Sequence, residues 1–220
     1  ELAHSAGMPR QRIEEMGLDP KEKVGRLVER LAPLENTIQH SWLIEILQEL
    51  FGFNDERLTS DNWEAVYDFS AGVMAQDDWS QQVLAASNLE AVFLTNDFAD
   101  PLEGFDTDVY IPCLRTDDLV FHLAKPEVRE RLEKESGTSL GNAASLKSAI
   151  GRLFAHFTSK GAKACAISLP PDFTPIKVTA AQAEPALSQL LAHGTETEAG
   201  HKKTVGEFVF WTLAEFCDEH

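Results

Sequence analysis

Basic side chains are scarce in this sequence: 19 Lys and Arg stand against 36 Asp and Glu in 220 residues, for a formal charge of −17. No Lys/Arg stripe is long enough to neutralise a phosphate backbone, and a chain this acidic is repelled by nucleic acid and by anionic lipid, so neither is expected as a partner. Cysteine is scarcer still. Cys113, Cys165 and Cys217 are odd in number, far apart and without a CxxC pair. That argues against a disulfide framework or a structural zinc site and fits a reducing cytoplasm. No apolar run approaches the roughly 18 to 20 residues needed to cross a bilayer. The opening Glu1-Leu2-Ala3-His4 lacks the basic-then-apolar pattern of a signal peptide, so the chain reads as soluble. Histidine clusters are missing as well. The seven His are isolated, with no HxH or HxxEH, and no Ser sits in GxSxG, which leaves metal binding and nucleophilic catalysis by these residues unsupported. There is no repeat of fixed period and no low-complexity tract.

What is present is ample core material. Apolar residues make up 43% of the chain, with 13 Phe and 4 Trp, enough for one large domain or two small ones and too much for general disorder. The first half reads as helices. Asp19-Pro20 is a cap followed by Pro at the first helical position, and Val24, Leu27, Val28 and Leu31 recur at helical spacing before Pro33. From Thr37 to Phe51 the residues Ile38, Trp42, Ile46, Leu47 and Leu50 share a broad face, with Gly52 as a left-handed stop. Ser60 is expected to cap a third helix through Trp63, Val66, Tyr67, Ala71 and Val73, and Asp77 or Asp78 a fourth through Trp79, Val83 and Leu84. Trp42, Trp63 and Trp79 read as core aromatics.

At Leu89 the pattern changes. Ala91-Val92-Phe93-Leu94-Thr95, Val109-Tyr110-Ile111-Pro112-Cys113-Leu114 and Ala164-Cys165-Ala166-Ile167 are short, nearly continuous apolar runs, the mark of strands buried on both faces. Helical periodicity separates them, at 126–135 and 144–159, and follows them, at 180–193 and from Val205 to Phe216. Strands alternating with helices imply parallel βαβ units and an α/β class. The link from Asn96 to Asp108 is short for a crossover, so a β-hairpin is the competing topology. The polar stretch 194–200 reads as a loop, and the segment around Glu196 to Lys202 as the best candidate for a mobile one.

Ligands in parallel sheets meet the carboxyl ends of strands, which here are Thr95-Asn96-Asp97, Arg115-Thr116-Asp117-Asp118 and Ser168. Arg115 stands out because a guanidinium there can grip a carboxylate with two parallel hydrogen bonds. The competing reading is an ion pair with Asp97, Asp117 or Asp118. The carboxylate runs Asp77-Asp78 and Glu130 to Glu135 read as solvated faces.

The stretches from His40 to Gly52 (HSWLIEILQELFG), from Asn88 to Asp97 (NLEAVFLTND) and from Ile111 to Asp117 (IPCLRTD) resemble uronate (glucuronate) isomerases of the amidohydrolase superfamily. In that family a Trp-bearing helix ends in Leu-x-x-x-Phe-Gly, one strand ends in Thr-Thr-Asp-Asp-Pro and the next in Pro-x-x-Arg-Pro-Asp. Here Thr95-Asn96-Asp97-Phe98-Ala99 and Arg115-Thr116-Asp117 stand at those places, and Ser168-Leu169-Pro170 replaces an Asp-His pair, as in a divergent branch. The resemblance spans roughly residues 1 to 170.

It implies part of a distorted (β/α)8 barrel, with residues 1–88 in a helical insertion and 89–220 supplying strands two to four with their helices. The implied reaction interconverts a hexuronate aldose and its ketose, such as glucuronate and fructuronate, by proton transfer through an enediol. Arg115 maps onto a residue the family uses to bind substrate and stabilise charge, with Asp97 as a second candidate. The family's divalent metal, with zinc the expected ion, is held by an HxH and an Asp that this sequence lacks. The chain, which starts without Met, is thus expected to be an internal segment, inactive and free of cofactor by itself, and a homo-oligomer is compatible with it. The alternatives are another hydrolase or decarboxylase of the superfamily, or a non-catalytic structural fragment. An upstream HxH followed by His-Tyr would favour the isomerase.

Overall fold

Asp19 caps a helix as its sequence context requires: its carboxylate accepts the Glu22 N–H at 3.1 Å, and Pro20 occupies the first turn. In the computed structural model, which describes residues 2–220, this helix belongs to a unit that ends at Glu90; a second unit runs from Ala91 to His220. The first unit is all helical: α1 (Leu2–Ser5), α2 (Arg10–Ile13), α3 (Pro20–Val28), a 3-10 turn at Ala32–Leu34 that contains Pro33, α4 (Ile38–Phe51), α5 (Trp63–Met74) and α6 (Trp79–Ser87). Thr37 caps α4 through the His40 N–H, and Gly52 ends it at φ 65°, as expected. Gly25 lets α3 approach α5, because a Cβ there would stand 2.8 Å from the Trp63 ring.

Three expectations fail in this unit. Helix α4 buries His40, Ile44 and Leu47, while Ile38, Trp42 and Ile46 lie on the opposite side, with Trp42 56% exposed. Apolar residues nearly encircle α4, so spacing alone could not choose between two stripes. Trp63 and Trp79 are only half-buried; Trp79 stacks on Phe51 at 5.2 Å. Helix α5 starts after Asn62, not Ser60. Asn62 accepts the Thr59 N–H and donates to the Arg57 carbonyl, which spends the Ser60 region on a turn.

The second unit holds β1 (Val92–Phe93), β2 (Tyr110–Ile111), β3 (Cys113–Arg115), α7 (Asp117–Phe121), α8 (Pro126–Ser136), α9 (Ala143–Ser159), β4 (Ala164–Ala166), α10 (Ala180–His193) and α11 (Ala199–Glu219). Strands β2 and β3 are one extended path divided at Pro112, which has no N–H to donate. β1 pairs with β2 in parallel, Val92 with Tyr110; a parallel bridge from Asn96 to Leu114 continues that register; and β3 pairs in parallel with β4, Leu114 with Cys165. The hairpin alternative is absent from this pairing.

Helices cover one face of these strands. Leu114 joins a core with Leu146, Ile150, Leu153 and Phe157, whereas Phe93 is 57% exposed and Thr95 is exposed too. The expected burial on both faces therefore does not hold for the first strand. From Val92 to Phe98 burial alternates with the period of a half-covered strand, because the unit's helices pack on a single side. The short helix α7 was not foreseen, since its residues read as a strand end. The stretch 194–200 is also no open loop. Gly194 and Thr197 are buried, the Thr197 hydroxyl donates to the Gln189 carbonyl, and Lys202 donates to that of Thr195. No helix among the described residues is long and apolar enough to cross a membrane.

Candidate functional site

The carboxyl ends of the three strand paths converge. Thr116 donates both its N–H, at 2.9 Å, and its hydroxyl, at 3.2 Å, to the Ala166 carbonyl, and the Arg115 N–H donates to the Asn96 carbonyl at 2.9 Å. Asn96 is the pin of this junction. It is buried, its side-chain oxygen accepts the Cys113 N–H at 3.2 Å, and its amide donates to Asp100 at 3.1 Å. One step beyond the Asn96–Leu114 bridge, Asp97 and Arg115 stand at matching positions, both exposed.

Arg115 is 53% exposed and its Nε donates to Asp117 at 3.2 Å. Asp117 also accepts the Ser168 N–H at 3.2 Å, so a single carboxylate fastens Arg115 and the segment after β4. Burial tends to raise the Asp117 pKa, but the Ser168 N–H and the Arg115 guanidinium outweigh it and hold the carboxyl below its ordinary range. The same balance applies at Asp97. Burial raises its pKa, and the hydrogen bonds from Arg131 and the Ala99 N–H overcome this and leave it lowered.

Sequence reasoning missed Arg131. This residue of α8 forks between Asp97 and Asp118 and lies 4.5 Å over the Phe98 ring. It sits inside a run of carboxylates that read as a solvated face, and only its place on the turn between Val128 and Leu132, both buried, hinted at an inward position. Ser168, the third strand end, enters the site through its backbone N–H. Arg115 thus keeps the exposed end of its fork, while Asp97 is engaged by Arg131 and not by Arg115. This arrangement can bind and orient a carboxylate. Among the described residues no group of three or more His, Cys, Asp and Glu could hold a metal ion.

No family model and no curated protein matches the chain. Solved structures do. The uronate isomerase of Thermotoga maritima superposes with a TM-score of 0.82 at 16% identity, over 100% of this chain and 49% of that one. The glucuronate isomerase of Caulobacter crescentus gives a TM-score of 0.82 at 18% identity, over 98% of this chain and 47% of that one. The likeness extends past residue 170, where the sequence resemblance ends, and takes in α10 and α11. By fold, the chain matches uronate isomerases along its whole length and spans about half the length of each.

Proposed function

We propose that this chain is a segment of an aldose–ketose isomerase that acts on a hexuronate, and that it supplies part of the substrate's carboxylate site. The observation that carries the reading is the placement of Arg115, half-exposed at the carboxyl end of a parallel strand, in a chain whose fold matches uronate isomerases throughout. In this reading the first unit is the helical insertion of a distorted (β/α)8 barrel. The strand paths at 92–96, 110–115 and 164–166 are barrel strands two to four, and their uncovered face looks into the barrel. A uronate differs from a neutral sugar by its carboxylate, and a planar guanidinium selects that group by two parallel hydrogen bonds. Asp117 holds the Nε edge of Arg115 and so aims the remaining edge outward.

Proton transfer between C2 and C1 through an enediol then falls to groups outside these residues. The divalent metal implied by the sequence resemblance finds no ligand set among the described residues, so no step is assigned to one. Incubating the full-length protein with glucuronate and with galacturonate tests the proposal. Reversible formation of the corresponding ketose from either is the expected result. A protein that turns over neither, or that releases carbon dioxide from them, is not this isomerase.

A further inference from the structure

Two of the three cysteines, distant in sequence, border the same cavity. Cys165 of β4 and Cys217 in the last turns of α11 line one cavity of about 270 Å³, together with Phe154, Phe157, Lys163 and His220. Both thiols are free, and both border this one cavity. They are unequal. Cys217 is exposed, whereas Cys165 is half-buried and burial pushes its thiol pKa up. Cys113 is buried on β3, beside Ala164.

We propose that Cys165 and Cys217 are a peroxide-responsive thiol pair that closes to a reversible disulfide, fastening the end of α11 to β4. The inequality sets the order of events. The accessible Cys217, as thiolate, attacks the O–O bond of hydrogen peroxide; with one proton taken up, this yields a sulfenic acid and one water. The Cys165 sulfur then attacks the Cys217 sulfur. The S–S bond forms, the S–O bond breaks, and the hydroxyl leaves with the Cys165 proton as a second water. Two thiols and one peroxide give one disulfide and two waters, so the electrons lost by sulfur are those gained by oxygen. Because Cys165 borders the same cavity, this closure competes with overoxidation of Cys217 to the sulfinic acid. The inference stands apart from the isomerase reading, since it uses none of the residues at the strand ends.

The test treats the full-length protein with one equivalent of hydrogen peroxide, blocks remaining thiols and maps tryptic peptides by mass. The expected product joins the peptide that begins at Ala164 to the one that begins at Thr204, lighter than their sum by two hydrogens and separated again by dithiothreitol. Cys113→Ser should retain the link. Cys217→Ser should leave Cys165 unoxidised, and Cys165→Ser should hold Cys217 at the sulfenic acid with one equivalent of peroxide and carry it to the sulfinic acid with a second. Unlinked wild-type peptides, whether with Cys217 as sulfinic acid or with both thiols unreacted, would overturn the proposal. So would a link between different protein molecules.

Discussion

Asp97 and Arg115 stand opposite each other on neighbouring parallel strands, yet each pairs elsewhere: Asp97 with Arg131 of α8, Arg115 with Asp117 at the start of α7. Opposite charges side by side would ordinarily quench one another, and Arg115 would then be a structural residue. Here Arg131 takes up Asp97, with its guanidinium over the Phe98 ring, and Arg115 pairs with Asp117 instead. Two guanidiniums thus stand against the three carboxylates Asp97, Asp117 and Asp118, in a chain whose net charge is −17.

Arg115→Lys separates a binding role from a structural one. Lysine keeps the charge and loses the fork. The ion pair with Asp117 is half-exposed, and such pairs contribute about 1 kcal/mol or less to folding. For the proposed isomerase activity of the full-length protein, kcat/KM on the uronate should fall by about 2 kcal/mol or more in transition-state free energy, while Tm changes little. A lowered Tm with unchanged kinetics would assign Arg115 to anchoring Asp117 alone.

The lowered pKa of Asp117 fixes the sign of a pH effect. A carboxyl whose folded-state pKa lies below its unfolded value of about 3.9 stabilises the fold fully above that pH, and the contribution is lost as pH falls through the folded value. Asp117→Asn keeps an oxygen for the Ser168 N–H and removes the titration. The Tm of the wild type should exceed that of the variant near neutrality, and the gap should narrow steadily below about pH 4. A gap independent of pH would show that the carboxylate charge does not matter to folding.

The helix starts at Asp19 and Thr37, the stop at Gly52 and the parallel order of three strand paths were legible in the sequence, because caps, glycines and short apolar runs act locally. Which stripe of α4 is buried was not legible, since that depends on the neighbours it meets. Arg115 could be picked out because one charge ends an apolar run. Arg131 and the Cys165–Cys217 pair could not, because partners 34 and 52 positions apart are joined only by the fold. The half-open first strand was misjudged for a related reason. Its apolar composition fits a strand covered on both faces, and the unit itself supplies cover for only one.

Asn96→Leu should show how firmly the strand ends depend on one buried amide. The substitution removes the acceptor of the Cys113 N–H and the donor to Asp100, and an unsatisfied buried N–H costs about 1 to 3 kcal/mol. The denaturation midpoint should drop accordingly, and amide hydrogen exchange at Cys113 should accelerate. Unchanged protection of that amide would mean that another acceptor replaces Asn96.

Two glycines within helices should respond to alanine with opposite signs. Gly72 lies in α5 with nothing within 4 Å of an added Cβ, so Gly72→Ala gains helix propensity alone and should stabilise by up to about 1 kcal/mol. Gly206 lies in α11 against α7, where a Cβ would stand 2.7 Å from the Val120 carbonyl oxygen. That atom is backbone and cannot rotate away. Overpacking of this kind costs about 1 to 3 kcal/mol, which exceeds or cancels the propensity gain, so Gly206→Ala should destabilise by up to about 2 kcal/mol. Denaturant melts of the two variants beside the wild type decide the matter. A stabilised Gly206→Ala would mean that α11 can withdraw from α7 at little cost, and the close approach of these two helices would then not be a determinant of the fold.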